Sequence, residues 1–148
     1  MNVEQIIKTD KKIPLHSRTI IHLMLVQNKI SEGILNALKP YDVSMQQFNV
    51  LRIIRGQKGK AANLSTLNER MISKMSNTTR LVDKLMLKGY VERITCPSNR
   101  RKVEITITEE GKSALEMMDA VVNAAEIELV KKFTEKELEQ LNKLLDKI

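Results

Sequence analysis

The chain is poor in aromatic residues, with two Phe, two Tyr and no Trp among 148 residues. Proteins that hold single-stranded DNA or RNA generally stack bases on aromatic side chains, so the composition argues against that class of partner. A single cysteine, Cys96, excludes an intramolecular disulfide and fits a reducing compartment. The two histidines, His16 and His22, have no ligand-type neighbours at close spacing, and a zinc site needs three or four ligands. Long apolar runs are missing as well. The stretch 19–26 is broken by His22 and is too short to span a bilayer. No basic segment leads into an apolar run with a small-residue cleavage site. The expectation is therefore a cytoplasmic protein with no membrane partner and no metal. No nucleophile–base pair, phosphate-cradling glycine loop or carboxylate pair stands out, so neither a cofactor nor an enzymatic activity is expected.

What is present is ordinary globular composition, 42% hydrophobic and 29% charged, with a net charge of +7 that is unevenly spread. Residues 39–102 hold 14 Lys/Arg against 4 Asp/Glu, a net of +10, whereas residues 103–148 hold 6 against 11, a net of −5. A basic middle is the electrostatic footprint of a polyanion partner, most often nucleic acid. A solvated basic surface is the plainer explanation of the same charge. With aromatics scarce, double-stranded DNA is favoured over RNA or single strands.

The periodicity and cap residues give an element order. Residues 1–12 are polar and form at most a short helix. Pro14 suits the start of a helix over Leu15–Leu38, where Leu23, Val26, Ile30, Ile34 and Leu38 recur at helical spacing, and Pro40 ends it. Ser44 and Gln47 read as a capping box opening a helix from Met45 to about Arg55 that buries Phe48, Leu51 and Ile54 or Ile53; Gly56 and Gly59 break it. Asn63 is a candidate cap for Leu64–Met71, with Leu64, Leu67 and Met71 inward. The next helix begins near Ser73 or Ser76 and ends at Lys88, burying Leu81, Val82, Leu85 and Thr78, with Gly89 in the left-handed position beyond it. Strands over Tyr90–Thr95 and Val103–Thr108 flank a loop, 96–102, that carries three consecutive basic residues. Thr108 caps a helix from Glu109 to about Lys132. Thr134 and Glu137 form a second capping box before a last helix with an apolar stripe of Leu138, Leu141, Leu144 or Leu145, and Ile148.

Three short helices and a two-stranded hairpin are the plan of a winged helix-turn-helix, in which the second helix of the pair enters the major groove with its N-terminal end first. The outward residues of that helix are Lys74, Ser76, Asn77, Thr79, Arg80 and Lys84, side chains able to reach base edges or phosphates. The hairpin loop presents Arg100, Arg101 and Lys102 for a neighbouring minor groove. Either feature alone is also what a solvated helix face or a charged turn looks like; their tandem order in the basic part of the chain joins them.

On four stretches the sequence resembles the multiple-antibiotic-resistance regulator (MarR) family. These are Ile13-Pro14-Leu15; Tyr41-Asp42-Val43-Ser44 with Gln47-Phe48-Asn49-Val50-Leu51; Arg80-Leu81-Val82-Asp83-Lys84-Leu85 with Gly89-Tyr90-Val91-Glu92-Arg93; and Asn99-Arg100-Arg101 with Val103, Ile105, Ile107, Thr108 and Gly111. The last two are the most specific, since they fix residue type, order and spacing together. The resemblance implies a mainly α fold with a small β-hairpin, a winged helix-turn-helix over 41–108 flanked by dimerisation helices in 1–40 and 109–148. It implies a homodimer on a pseudo-palindromic operator in double-stranded DNA, acting as a repressor released by a small anionic or phenolic effector. It places Arg80 and Arg101 as the base-reading and wing-tip arginines. Arg18 and His22, near the start of the long helix, are candidates for lining the effector cleft. At Asn99 many members carry Asp, so the wing here lacks that partner for its arginine. Two alternatives stand beside this reading: a winged-helix protein-interaction module that no longer binds DNA, and a redox switch acting through Cys96, whose basic neighbours could lower its pKa.

Overall fold

The structure is a computed structural model that describes residues 2–74, 76–95 and 103–148. The wing-loop candidates Arg100, Arg101 and Lys102, together with Cys96 and Asn99, lie outside the described residues.

Local capping sets most element boundaries. A short helix α1 (Val3–Ile6) is capped by Asn2. Helix α2 (Leu15–Leu38) starts immediately after Pro14 and leads into a 3-10 turn, Lys39–Tyr41. Asp42 then takes a left-handed conformation, φ 50°, and reverses the chain into α3 (Met45–Arg55). The Ser44 capping box is present: the Gln47 N–H donates to Ser44 Oγ at 3.2 Å and the Ser44 N–H to Gln47 Oε1 at 2.8 Å. Phe48, Leu51, Ile53 and Ile54 are all buried. Asn63 caps α4 (Leu64–Arg70) through the Thr66 N–H.

Helix α5 (Thr78–Leu87) corrects the sequence expectation at both ends. Its cap is Asn77, whose Oδ1 accepts the Arg80 N–H at 3.1 Å, while Ser73 and Ser76 belong to the preceding turn, where the Ser76 N–H reaches the Ser73 carbonyl at 3.3 Å. The helix closes with a Schellman arrangement. The Tyr90 N–H bonds Leu85 O at 3.0 Å and the Gly89 N–H bonds Met86 O at 2.9 Å, with Gly89 at φ 73°. Strands β1 (Val91–Thr95) and β2 (Val103–Ile107) pair antiparallel, Arg93 opposite Ile105. A third backbone segment joins them: Ala62 exchanges two hydrogen bonds with Ile105, at 2.9 and 2.8 Å.

Helix α6 (Glu109–Val130), capped by Thr108, ends two residues before the expected Lys132; the Thr134 capping box opens α7 (Glu135–Leu145). Gly111, in the first turn of α6, lies against the backbone of Tyr90: a Cβ there would stand 2.1 Å from the Tyr90 carbonyl oxygen. Thr108 stitches the same junction. Its N–H donates to Tyr90 O, its hydroxyl donates to Gly89 O at 2.6 Å, and it accepts the Gly111 N–H at 2.9 Å.

The core gathers Leu51, Leu67, Val82, Leu85, Ile105, Leu115 and Met118, so the helix-turn-helix, the hairpin and the first half of α6 share one interior. The long helices are different. Along α2 only Leu38 is buried, α7 buries nothing, and Val26, Ile30, Leu141, Leu144 and Leu145 are exposed. Of the exposed large hydrophobics among the described residues, all but Ile72, Leu87 and Ile94 lie outside residues 41–108. No helix among the described residues is long and apolar enough to cross a membrane.

Candidate nucleic-acid interface

Thr78, Val82 and Leu85, at positions i, i+4 and i+7 of α5, point into the core. The opposite face carries Thr79, Arg80, Asp83, Lys84 and Leu87, all exposed. Asp83 is occupied by an ion pair with Arg93 on β1 at 2.8 Å, whereas Arg80 and Lys84 enter no ion pair among the described residues. The cationic character of this face therefore rests on two side chains that make no ion pair among the described residues.

The helix is held firmly under that face. Thr78, only 5% exposed, donates its hydroxyl to Asn68 Oδ1 on α4 at 2.8 Å. Asn49 on α3 accepts the Ile72 N–H at 3.2 Å, which fixes the turn leading into α5. At the far end Lys88 pairs with Asp42 at 2.7 Å. The Lys88 ammonium beside it holds the Asp42 carboxyl below the usual aspartate value. Helix α5 is thus tied to α3, α4, β1 and the 3-10 turn, which restricts the directions in which Arg80 and Lys84 can project.

Beside the leading end of α5 lies an open groove of about 260 Å³, lined by Gln46, Ser73, Ser76, Asn77, Arg80, Leu81 and Lys84. The structure brings together five of the sequence candidates there: Ser76, Asn77, Arg80 and Lys84 in the groove, and the exposed Thr79 next to them. One of these five, and the sixth helix candidate Lys74 outside the groove, are partly spent on structure. The Asn77 amide oxygen caps the helix, and Lys74, in the preceding turn, donates to the Glu69 carbonyl at 2.5 Å. Gln46 was not among the candidates. Its place two residues after the cap Ser44, on the helix that supports α5, is the signal that marks it. Asn49 and Asn68 also escaped the sequence reading, since their partners lie 23 and 10 residues away.

The candidates for an effector cleft lie elsewhere. Arg18, on α2, makes two hydrogen bonds to the Glu4 carboxylate, at 2.7 and 3.2 Å. The Arg18 hydrogen bond is the main cause that holds Glu4 below the usual glutamate value, with His22 adding a smaller contribution. Arg18 is therefore committed to α1, and His22 sits half-buried on the same helix. Among the described residues no three His, Cys, Asp or Glu side chains converge as a metal site would require.

A sequence model of the MarR family matches residues 43–103, the segment that holds the helix-turn-helix and the hairpin. Wild-type MarR from E. coli in its apo form is 30% identical; the alignment covers 93% of this chain and 98% of that one, with a TM-score of 0.69. A cysteine-to-serine mutant of E. coli MarR in complex with operator DNA is 29% identical over 84% of this chain and 89% of its own, with a TM-score of 0.74. A MarR-like transcription regulator from Bacillus cereus ATCC 10987 has a TM-score of 0.79 at 24% identity, covering 90% of this chain and 96% of that one, a likeness of fold. The mainly helical architecture with one antiparallel hairpin is thus the winged-helix fold.

Proposed function

The chain belongs to the MarR family of transcription regulators, and from that membership we propose that it binds a pseudo-palindromic operator in double-stranded DNA as a homodimer. The observation that carries this reading is the face of α5: Arg80 and Lys84, exposed and without ion-pair partners among the described residues, on a helix braced from four sides. Arg80 grips a base edge in the major groove while Lys84, Ser76 and Thr79 serve phosphates and neighbouring bases. The hairpin loop, with Arg100, Arg101 and Lys102, extends to the adjacent minor groove. A related protein bound to operator DNA supports DNA as the partner.

The homodimer rests on the exposed apolar residues of α2, α6 and α7, which a single chain leaves in water. In this reading residues 1–40 and 109–148 form the dimerisation unit, 41–108 the DNA-binding unit, and two copies of α5 enter successive major grooves about 10 bp apart. The bound dimer represses by blocking polymerase, and a small anionic or phenolic effector releases it by favouring a spacing of the two helices that does not fit DNA.

The test is selection from a randomised duplex pool, followed by titration of the selected site at several salt concentrations. The expected outcome is a pseudo-palindrome with steep salt dependence; about eight phosphate contacts give a log–log slope near −7. Arg80→Ala is expected to cost about 1–3 kcal/mol and to blur one position in each half-site. No enriched site, with Arg80→Ala binding like the parent, would end the operator reading.

A further inference from the structure

None of the residues that line the groove beside the leading end of α5 is acidic, and they fall into two sets. Arg80 and Lys84, on α5, are cationic. Ser73 and Ser76, from the turn before α5, and Gln46, from the first turn of α3, are neutral and polar. Gln46 is the one that needs explaining. It is exposed, and α5 does not carry it. The neighbouring Gln47 is used in the Ser44 capping box, whereas the Gln46 amide enters no hydrogen bond among the described residues. A glutamine amide offers two N–H donors and one carbonyl acceptor.

The dimensions of a duplex say what those donors meet. An α-helix with its side chains is about 10–12 Å across, and the major groove of B-DNA is about 12 Å wide. A helix lying in the major groove therefore fills it. A side chain on a neighbouring helix then meets the wall of the major groove instead of its floor, and that wall is the sugar–phosphate backbone. We propose that Gln46 donates its side-chain amide to one phosphate of the DNA strand that passes beside α5. The phosphate oxygen is an ionised acceptor, so the bond is charge-assisted although the donor is neutral. Ser73 and Ser76 line the same path with hydroxyl groups. Because Gln46 belongs to α3, the bond ties a second helix of the domain to the strand, and it fixes the register of α5 without reading sequence. This role rests on the operator reading above and adds to it a contact that carries no charge.

A neutral donor leaves a signature in salt. Each cation on a phosphate releases counterions and adds about 0.9 to the log–log slope, whereas an amide adds nothing. The experiment titrates the full chain, by fluorescence anisotropy, onto the selected operator and onto random duplex at several salt concentrations. Gln46→Ala is expected to weaken binding to both by the same factor, about tenfold or more, with the slope unchanged. Lys84→Gln makes the slope shallower by about 1.8, two contacts of about 0.9 in a dimer, and Gln46→Lys makes it steeper by the same amount. A second set of operators carries one neutral methylphosphonate at matching positions of the two half-sites. At one position of that series the difference between the parent and Gln46→Ala is expected to vanish, because the acceptor has lost its charge and one oxygen. Parent-like binding of Gln46→Ala, a loss confined to one base pair of the site, or a loss that persists at every methylphosphonate position would overturn the proposal. So would a Gln46→Lys slope equal to that of the parent. A parent that selects a site and is weakened by Arg80→Ala, beside a silent Gln46→Ala, keeps the operator reading and loses only the phosphate contact. A parent that binds no duplex ends both.

Discussion

Replacing Gly111 by alanine puts one methyl group where the structure has no room for it. The added Cβ would stand 2.1 Å from the Tyr90 carbonyl oxygen, 2.9 Å from its carbon and 3.0 Å from Ile107 Cγ1. A comfortable carbon–oxygen contact is about 3.3 Å, so the two backbones must separate by about 1 Å, and neither is the loose end of a side chain. That movement strains the hydrogen bonds closing the junction: Thr108 N–H to Tyr90 O at 3.1 Å, Thr108 Oγ1 to Gly89 O at 2.6 Å, and Gly111 N–H to Thr108 Oγ1 at 2.9 Å. Losing two or three bonds at about 1 kcal/mol each, against a helix-propensity gain of at most about 1 kcal/mol, leaves a net destabilisation of about 2 kcal/mol. Displaced Ile107 packing raises it toward about 3 kcal/mol. For a chain of this size the melting temperature should fall by roughly 4–12 °C. Gly33→Ala is the control. Its Cβ would meet only the Leu129 side chain, at 3.4 Å, so it is expected to be neutral or up to about 1 kcal/mol more stable. Urea unfolding at one protein concentration decides the matter: Gly111→Ala within about 0.5 kcal/mol of the parent, or no worse than Gly33→Ala, would refute the close approach.

Three further outcomes are expected. Thr78→Val keeps the buried shape but leaves Asn68 Oδ1 without its donor; unfolding should show a loss of about 1 kcal/mol, and operator affinity should fall more than binding to random duplex, with Thr78→Ser restoring both. Ser44→Ala removes one half of a capping box and should cost about 1 kcal/mol in urea unfolding. Glu137 is held below the usual glutamate value, first by the Thr134 backbone hydrogen bond and then by its hydroxyl. Its contribution is therefore complete above the unfolded value of 4.5 and is lost as pH falls through the depressed folded value. Circular dichroism of the parent against Glu137→Ala should show a difference in helicity above pH 4.5 that closes with acidification; a difference that widened in acid would contradict that sign.

Elements with local signals were legible in the sequence, and those settled by distant partners were not. Helices α2 and α3 begin where Pro14 and the Ser44–Gln47 pair place them, because a cap is made within four residues. The start of α5 was harder, since Ser73, Ser76 and Asn77 are all competent caps. The packing of Thr78 against Asn68 and the hold of Asn49 on the Ile72 N–H accompany the choice of Asn77, and neither partner is a sequence neighbour. The Ala62 bridge to Ile105 involves a single residue and has no periodicity to betray it. In the candidate site, residue type singles out Arg80 and Lys84 as candidates, but only the fold reveals that Asp83 is taken by Arg93 and Arg18 by Glu4. Long-range ion pairs of this kind leave no spacing pattern in the chain.

The stitched junction of Thr108, Gly89, Tyr90 and Gly111 makes α6 a lever with α5 at its fulcrum end. Helix α6 has 22 residues, or about 33 Å of length. A tilt of about 5° moves one end relative to the other by about 3 Å, close to the 3.4 Å step between stacked bases. Thr108 and Gly111 hold the first turn of α6 against Gly89 and Tyr90, directly beyond the last turn of α5, so a tilt that swings the far end of α6 by that distance reaches α5 as a rotation of the same few degrees.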